Sequence, residues 1–395
     1  MKYKFPCISH LDEVKKVIDG VDGFIIAERD WGYVANYVQA GTQTFPEVKS
    51  IEDAIRRECR GLIFSLNGKL LSRPYHKFFN VGERTETLPE NFNLDEPHVI
   101  LEKLDGSMIR PFIVDDSYRL GTKMGITDVA MQAEVWLADH DNYDKFILDC
   151  ISNDRTPIFE WCSRKQRIVI DYPTDRLVLT AIRFNFTGEY YNFSDLNDMA
   201  ANYNLDVVKQ YPGTVNNMES LMAETHDLQG QEGWVIRFDD GHMMKLKASE
   251  YVTIHKAKDN ILREKGVIEM LIDEKSDDVK PFLIEEDRKR VEDYENSFWA
   301  GVQSTISAWK YANDQRHRQF SNDNRKGFAL EIAPHIDSNL RSAIFKAWDS
   351  DPLTYDWRKV VIDCIRKNIN TQKKLESARY LWAGARWKPI VEEGE

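Results

Sequence analysis

The stretch Glu102-Lys103-Leu104-Asp105-Gly106-Ser107 places Lys103 directly before a predicted Asp-Gly turn. A lysine amine that has lost its proton can attack phosphorus, and nearby cations favour that loss. Gly106 would let the backbone approach a ligand closely, while Asp105 and Ser107 would orient the turn. Alone the pattern is weak, because Lys-x-Asp-Gly arises by chance in about one chain in ten of this length.

Four charged residues further along the chain occupy settings that suit a bound phosphate or sugar. They are Glu160, Glu232, Lys245 and Lys247. On a strand, Glu160 points away from its aromatic neighbours, and Glu232 precedes a glycine at a strand start. Two lysines on one strand face repel each other unless that face meets solvent or phosphate. Each residue alone also fits an exposed strand or turn, but their order after Lys103 indicates a covalent nucleotidyltransferase.

Two cationic stretches precede Lys103 in the chain. Arg60 enters a predicted strand, where it suits a phosphate or equally a surface carboxylate. In Lys77-Phe78-Phe79-Asn80, core packing explains one phenylalanine, whereas the lysine must face water or an anion. The sequence has no Gly-x-x-x-x-Gly-Lys-Ser/Thr loop, so phosphates would be held by side chains and metal.

The sequence predicts an α+β protein whose first domain comprises residues 1–254 and contains largely antiparallel strands. Short β-branched and aromatic runs recur between turn residues, at 61–64, 167–170, 176–182 and 233–238. Asp240-Gly241 predicts a hairpin, whose period of two places Lys245 and Lys247 on one face of the return strand. Apolar spacing predicts a helical stretch at about 128–153.

Residues 255–395 predict an all-helical C-terminal domain, because their apolar residues recur at helical spacing. Within it, Ser276-Asp277-Asp278 is typical of a helix cap. Ser350-Asp351-Pro352 is typical of a turn or a helix start.

The composition argues against a protein that binds nucleic acid over its whole surface and against a membrane-spanning protein. A formal charge of −12 over 395 residues argues against nucleic-acid binding over the whole surface, although a local site can still be basic. The scattered cysteines form no Cys-x-x-Cys and predict reduced thiols; they are Cys7, Cys59, Cys150, Cys162 and Cys364. No stretch approaches the roughly 18 apolar residues of a membrane span. We therefore expect a cytoplasmic protein, in the host cytoplasm if a phage encodes it.

From about Asn36 to Lys280 the ordered motifs resemble those of the T-even phage RNA ligase 1 family. The resemblance implies an antiparallel-sheet nucleotidyltransferase domain that uses ATP and Mg²⁺, with Lys103 as the adenylylated nucleophile. It further implies that the ATP site is lined by Asn36-Tyr37, Arg60 and Lys77-Phe78-Phe79-Asn80, with Tyr37, Arg60, Lys77 and Phe79 as its binding residues. Glu160 would contact the ribose, and Lys245 and Lys247 would hold the phosphates close to Tyr251. Glu232 would serve near the metal, and Asp277 would bind it.

The resemblance also implies a reaction and its partners. AMP would pass from ATP to Lys103, then to an RNA 5′-phosphate, and an RNA 3′-hydroxyl would displace it and seal the strand. The expected partner is RNA, in particular a tRNA broken in its anticodon loop, and the expected state is a monomer. Beyond Lys280 the resemblance assigns no individual residue.

The excess charge of the C-terminal helices bears on that RNA partner. Residues 310–390 hold 16 Lys or Arg against 9 Asp or Glu, which suits an RNA backbone. Four aromatic residues there would stack on loop bases, or would alternatively form core. They are Trp348, Tyr355, Trp357 and Tyr380.

Three other classes compete with this interpretation. A DNA ligase or an mRNA capping guanylyltransferase uses the same lysine motif, but each normally carries a β-barrel afterwards. The helical spacing after residue 255 counts against both. A non-catalytic RNA-binding module would need no reactive lysine, and labelling with ATP separates it from the enzymes.

Overall fold

The computed structural model describes residues 4–41, 43–212, 215, 217–320, 324–350 and 355–388. By its internal contacts the chain divides into two compact units between Val252 and Thr253. No helix in the described part of the chain is long and apolar enough to cross a membrane.

The strands all lie in the first unit. They are β1 (Phe24–Arg29), β2 (Gly32–Tyr37), β3 (Leu62–Phe64), β4 (Leu70–Ser72), β5 (Phe79–Asn80), β6 (His98–Lys103), β7 (Ser107–Val114), β8 (Ser117–Gly121), β9 (Arg155–Cys162), β10 (Arg176–Phe184), β11 (Gly233–Phe238) and β12 (Met243–Lys247). Among the described residues they form three four-stranded sheets, with orders β1-β2-β3-β4, β10-β9-β7-β8 and β5-β12-β11-β6. Every pairing of these strands is antiparallel except that of β12 with β5.

The helices of the first unit are α1 (Leu11–Ile18), α2 (Ile51–Glu58), α3 (Asp128–Leu137), α4 (Asp141–Ser152), α5 (Phe193–Asn202) and α6 (Met218–His226). Helix α7 (Ser249–Ile261) runs across the division. Then follow α8 (Glu264–Ile272), α9 (Ser276–Val279), α10 (Glu285–Gln319), α11 (Arg325–Glu331), α12 (Ser338–Trp348), α13 (Trp357–Asn368) and α14 (Gln372–Ala378). The predicted fold class, antiparallel sheet followed by helices, is confirmed.

Burial explains how the helices pack on the strands of the first unit and on one another in the second. Strands β9 and β10 bury Phe159, Trp161 and Leu179 against the apolar sides of α3 and α4. In the second unit, α10 places Phe298, Val302 and other apolar residues against α13 and the residues that follow α14. Such continuous apolar surfaces supply most of the stability of each unit.

Two local predictions were wrong, and a third was right about the helix but not about its continuity. The stretch at 128–153 is two helices, because His140 leaves helical geometry and its ring stacks on Trp136 with centroids 3.5 Å apart. Residues 167–170 form a bend instead of a strand, because two of their amides bond to Asp105. Ser276 begins α9 without capping it, since Lys275 precedes the helix and the Ser276 hydroxyl donates to Glu295.

The C-terminal aromatics divide between core and surface. Trp357 is buried, and Tyr355 packs beside it and donates to the Ala343 carbonyl. Trp348 packs against Phe328, with centroids 5.6 Å apart. Only Tyr380 of this group is substantially exposed, so the core interpretation applies to the other three. The turn predicted at 350–352 extends beyond the described residues.

A cluster of buried charges, the Glu58 cluster, ties α2 to β10. Both carboxylate oxygens of Glu58 contact Arg183 at 2.7 Å, and Arg73 donates to the same carboxylate at 3.0 and 3.2 Å. All three side chains are fully buried. The arginines also donate to backbone carbonyls, those of Pro6, Pro74 and Gly188 among them, so the buried donors are satisfied.

Candidate active site

The site is built on three adjacent strands, β12, β11 and β6. Gly233 pairs with Lys103 on one side and with Lys247 on the other, and Val235 pairs with Leu101 and Lys245. Residues directly opposite each other in a sheet face the same way, and residues two apart share a face. Lys103, Lys245 and Lys247 therefore lie on one face, and the predicted hairpin with its lysine alternation is confirmed.

Glu232 joins two of these lysines, and the three residues form what we call the Glu232 cluster. Its Oε2 accepts a hydrogen bond from Lys103 Nζ at 2.6 Å, and its Oε1 lies 3.0 Å from Lys247 Nζ. The carboxylate is 3% exposed, whereas the two lysine side chains are 22% and 29% exposed. The two amines are thus accessible to a ligand, while the buried carboxylate fixes their positions.

Gly233 is required for this spacing. Its φ is +140°, and a Cβ there would clash with the carbonyl oxygen of Leu246 and press on Lys247. A side chain at this position would therefore force β11 away from β12. The glycine keeps Glu232 at the strand start, between the two lysines.

A cavity of about 730 Å³ opens over this face. Its lining includes Tyr37, Arg60, Lys103, Glu160, Lys245 and Lys247. Burial lowers the pKa of Lys245 to about 7, and the positive charges of Lys103 and Lys77 act in the same direction. The lowered pKa means that the charged form of this amine is unstable in the cavity. Such an amine is expected in a site where a bound anion neutralises it.

Glu160 faces the cavity from β9, while its neighbours Phe159 and Trp161 are in the core, as the strand period predicts. Burial raises the pKa of Glu160 to about 7, with the charge of Glu232 also raising it and that of Lys103 opposing. Gly106 packs against this strand: a Cβ there would clash with the Trp161 carbonyl. Gly106 thus serves strand packing and also lines the cavity, and its predicted close approach to a ligand stays a prediction.

Asp105 anchors the turn that follows Lys103. Its buried carboxylate accepts hydrogen bonds from the amides of Val169 and Ile170 at 2.7 and 2.6 Å, and from the Tyr251 hydroxyl at 2.8 Å. The backbone amide of Asp105 donates to the Tyr172 hydroxyl. Tyr251 therefore acts on the turn through Asp105, and its ring also lies 5.1 Å from Lys247 Nζ.

The cavity has a cationic end, defined by Arg60 and Lys123, which line it, and by Lys77, which lies behind the lining residue Tyr37. Lys77 Nζ lies 5.0 Å from the centre of the Tyr37 ring. Burial alone would raise the pKa of Tyr37, but the charges of Lys77, Arg60 and Lys123 outweigh it and lower that pKa. A site that favours negative charge on a phenol will also favour phosphate oxygens.

Phe79 is buried beneath the cationic end, with Lys77 Nζ 5.1 Å from its ring, and it is the neighbouring Phe78 that lines the cavity. Asn36 lines it too, and its amide donates to the sulfur of Met124. The adjacent pair Phe78 and Phe79 therefore has one ring for the ligand and one for the core.

Asp277 lies in the second unit, apart from these residues in the chain. Its carboxylate is almost fully exposed and pairs with Lys280 at 3.5 Å. Within the described residues, no group of three or more His, Cys, Asp or Glu side chains could by itself hold a metal ion. Metal binding by Asp277 or Glu232 stays a prediction.

Sequence reasoning missed two cationic residues of the cavity, Lys123 and Arg237. Lys123 reaches it because Gly61 has a φ of +97° and lets its backbone lie against that of Lys123, a contact between distant segments that leaves no local signal. Arg237 also lines the cavity. The period of two from Gly233 would have placed it on the lysine face.

Comparison with known proteins identifies the family. A family model described as RNA ligase matches residues 58–258, just over half of the chain. The chain belongs to the RNA ligase family. The matched segment contains Lys103, Glu160, Glu232, Lys245 and Lys247, so the clustered site of this RNA ligase family member lies within the segment that matches the family.

Two curated relatives and one solved structure illustrate the likeness. A Thermovibrio ammonificans protein named "Putative RNA ligase" is 31% identical over 254 residues, covering 62% of this chain and 64% of the relative. RNA ligase 1 of bacteriophage TS2126 is 25% identical over 214 residues, covering 51% and 52%. An archaeal ATP-dependent RNA ligase structure aligns with a TM-score of 0.45 at 14% identity, covering 63% and 64%. The chain thus spans less than two thirds of the length of these relatives.

Proposed function

We propose that this protein is an ATP-dependent RNA ligase that works through a covalent Lys103–AMP intermediate. The observation that carries the proposal is the Glu232 cluster, in which the amine of Lys103 is held beside Lys247 at the floor of an open cavity. Membership in the RNA ligase family supports the reaction class. Two lysines and one carboxylate on a single sheet face suit attack on a phosphate better than they suit solvent.

The first step forms a bond between Lys103 Nζ and the α-phosphorus of ATP and breaks the bond from that phosphorus to the bridging oxygen. Pyrophosphate leaves with the electron pair. Attack requires the unprotonated amine, and Glu232 Oε2, 2.6 Å away, is the acceptor within reach of its proton. AMP then passes to an RNA 5′-phosphate, and an RNA 3′-hydroxyl displaces AMP to form the new phosphodiester.

The other residues of the cavity hold charge and sugar. Lys245, Lys247 and Arg60 would neutralise the phosphate oxygens on which negative charge develops. Lys77 and Tyr37 extend this cationic surface, and Glu160 would accept a ribose hydroxyl. Donor chemistry supports these roles, and so does the cavity that all of these residues line except Lys77, which contacts the lining residue Tyr37.

A divalent metal fits the site only together with the nucleotide. Mg²⁺ commonly takes one or two carboxylates and completes its octahedron with substrate phosphates and water. Glu232 and Glu160 are the carboxylates that would hold it within the first unit. When bound it would neutralise phosphate charge, and Asp277 stays a proposed further ligand whose removal should then alter the metal dependence of ligation.

We assign RNA recognition to the second unit, with a tRNA broken in its anticodon loop as the proposed natural substrate. The 16 Lys or Arg against 9 Asp or Glu in residues 310–390 support this. Tyr380, with its exposed ring, is the aromatic residue of the predicted set that remains suited to stacking on a base. We expect the protein to act as a monomer in the cytoplasm.

The experiment that tests the proposal is labelling with α-³²P-ATP and Mg²⁺. We expect an acid-labile, base-stable adduct, because a phosphoramidate loses its amine once that nitrogen is protonated, and peptide mapping should locate AMP on Lys103. An adduct on Lys245 or Lys247, or none at all, would refute the nucleophile assignment.

A substrate panel extends the same assay. Labelled enzyme should transfer AMP to 5′-phosphorylated RNA in preference to DNA, and should seal a tRNA nicked in its anticodon loop better than a simple oligonucleotide. Preference for DNA ends would favour the DNA ligase alternative. Adduct formation with GTP but not ATP would favour a capping guanylyltransferase.

A further inference from the structure

The cavity continues along β11 beyond the lysines. Gly233, Val235 and Arg237 share one face of that strand, so Arg237 lies four residues, or about 13 Å, from the level of Lys103. On the neighbouring strand β12 the residue opposite Arg237 is Met243. The lysine row has therefore ended at this level, and a different surface begins.

We call this second surface the Arg237 end, defined by Tyr75, Thr180, Arg237 and Met243, all of which line the cavity. Tyr75 is stacked on Tyr190 with centroids 5.7 Å apart and also contacts Phe78. Its aromatic and apolar character contrasts with the cationic end. Phosphates suit the cationic end, so the nucleobase of a bound nucleotide would extend toward the Arg237 end.

Arg237 itself is buried and incompletely bonded. It is 6% exposed, its Nη2 donates to the Tyr191 carbonyl, and its guanidinium carbon lies 5.6 Å from the Tyr190 ring. Its Nη1 has no hydrogen-bond partner in the part of the chain that the structure describes. A buried donor left without a partner is costly, which is a reason to expect that a ligand supplies the acceptor.

We propose that Arg237 is a specificity-determining residue that donates from Nη1 to the ring nitrogen N1 of adenine. The edge of a purine farthest from the ribose carries N1, and Arg237 lies about 13 Å along β11 from the level of Lys103. Arginine offers donors only, so it accepts adenine, whose N1 is an acceptor, and disfavours guanine, whose N1 bears a hydrogen. The inference rests on the proposed function in taking the ligand to be a nucleoside triphosphate.

Binding of analogues to the full-length protein tests this without any chemistry. Affinities for ATP, 1-deaza-ATP, 7-deaza-ATP and GTP are measured by calorimetry in EDTA, which prevents turnover. The parent should bind 1-deaza-ATP about tenfold more weakly than ATP, since one hydrogen bond to a charged donor is lost, while 7-deaza-ATP should bind like ATP. Arg237→Met should bind ATP and 1-deaza-ATP equally and should lose preference for ATP over GTP.

Arg155→Met is the matched control. Arg155 lies 5.2 Å from the ring of Tyr191, whose carbonyl holds Arg237, but it does not line the cavity. Its replacement should leave the ratio between ATP and 1-deaza-ATP unchanged. Thermal unfolding checks that each variant is folded. If Arg237→Met does not fold, Arg237→Lys, which retains a donor, replaces it in the binding comparison.

The proposal is overturned if the parent binds 1-deaza-ATP as tightly as ATP, a result that needs no variant. It is equally overturned if Arg237→Met still binds ATP more tightly than 1-deaza-ATP by the same factor as the parent. A third contrary result would be a parent that binds 7-deaza-ATP more weakly than ATP, with that difference alone lost in Arg237→Met. These results are separate from failure of the proposed function. A parent that discriminates at N1 through Arg237 but forms no Lys103 adduct would uphold this inference and refute the ligase mechanism.

Discussion

The Glu58 cluster and the Glu232 cluster have the same charges, one glutamate and two cations, but opposite designs. The partners of Glu58 are arginines with fully buried side chains, whose remaining donors are taken by backbone carbonyls. The partners of Glu232 are lysines that remain partly exposed to a cavity. Planar guanidinium forks fix geometry, whereas an amine is a compact charge that can exchange one anion for another. Cation type and exposure therefore separate a structural cluster from a reactive one.

The largest effect should come from Lys103→Arg. The variant keeps the positive charge and a donor toward Glu232, but a guanidinium does not lose its proton in a protein and cannot attack phosphorus. We expect adduct formation with ATP to be abolished, measured by α-³²P-ATP labelling. Retained labelling would mean that Lys103 is not the nucleophile, and its contact with Glu232 would then be structural, like those of the Glu58 cluster.

Glu58→Ala should cost about 3–5 kcal/mol of unfolding free energy, because it leaves two buried arginines without their carboxylate. Urea denaturation followed by circular dichroism is the measurement. Glu52→Ala, at an exposed position of the same helix α2, is the control and should change stability by about 0.5 kcal/mol or less. Equal stability of the two variants would contradict a structural role for the cluster.

The Glu58 cluster should also shape acid denaturation. Burial alone would raise the pKa of Glu58, but Arg183 and Arg73 outweigh it and lower that pKa from 4.5 to about 2. A folded-state pKa below the unfolded value contributes stability above pH 4.5, and this contribution is lost as pH falls from 4.5 toward 2. The parent should lose more stability than Glu58→Ala across that interval.

A smaller effect should appear in the pH dependence of ATP use. Because the pKa of Lys245 is lowered to about 7, first by burial, the free enzyme loses this charge as pH rises from 6 to 8.5. We expect the KM for ATP in the labelling reaction to rise about tenfold over that range. In Lys245→Arg, whose charge persists, the rise should be absent.

Glu160 titrates in the same range and must be separated from Lys245. Its pKa is raised to about 7, first by burial, so it gains charge over the interval in which Lys245 loses it. Ionised Glu160 accepts a ribose hydroxyl better, which would lower KM as pH rises. Glu160→Gln should therefore steepen the rise seen in the parent. If the KM of Glu160→Gln did not change with pH, the titration of Lys245 could not be the cause of the rise in the parent.

The smallest effect should come from Tyr251→Phe. It removes one hydrogen bond to Asp105 and leaves the ring beside Lys247, so we expect a loss of about 1 kcal/mol in unfolding free energy and a change of only a few-fold in the rate of adduct formation. Tyr172→Phe, which removes the acceptor for the Asp105 amide, is the comparison. Complete loss of labelling in Tyr251→Phe would instead give the hydroxyl a direct part in catalysis.

Local periodicity predicted those parts of the site that depend on one strand or one turn. The Asp240-Gly241 hairpin and the shared face of Lys245 and Lys247 follow from alternation within a few residues. The contact of Lys103 with Glu232 joins residues 129 apart, and that of Glu58 with Arg183 joins residues 125 apart. Such pairings depend on the order of strands in a sheet, which propensity does not encode.

The incorrect predictions also have a common physical origin. Residues 167–170 have β-branched side chains typical of a strand, but the buried carboxylate of Asp105 captures two of their amides. In the stretch at 128–153, the stacking of His140 on Trp136 accompanies a break in the helix. Contacts of particular side chains accompany the departure in both places, one between distant segments and one between residues four apart.

The register of β12 has a consequence for insertions and deletions in the gene. One residue added or removed between Met243 and Lys247 would rotate the following side chains to the opposite face of the sheet, turning Lys247 inward and an apolar residue toward the cavity. Length changes at residues 239–242, in the loop, leave the alternation beyond it intact. Natural length variation in this hairpin should therefore be confined to its loop.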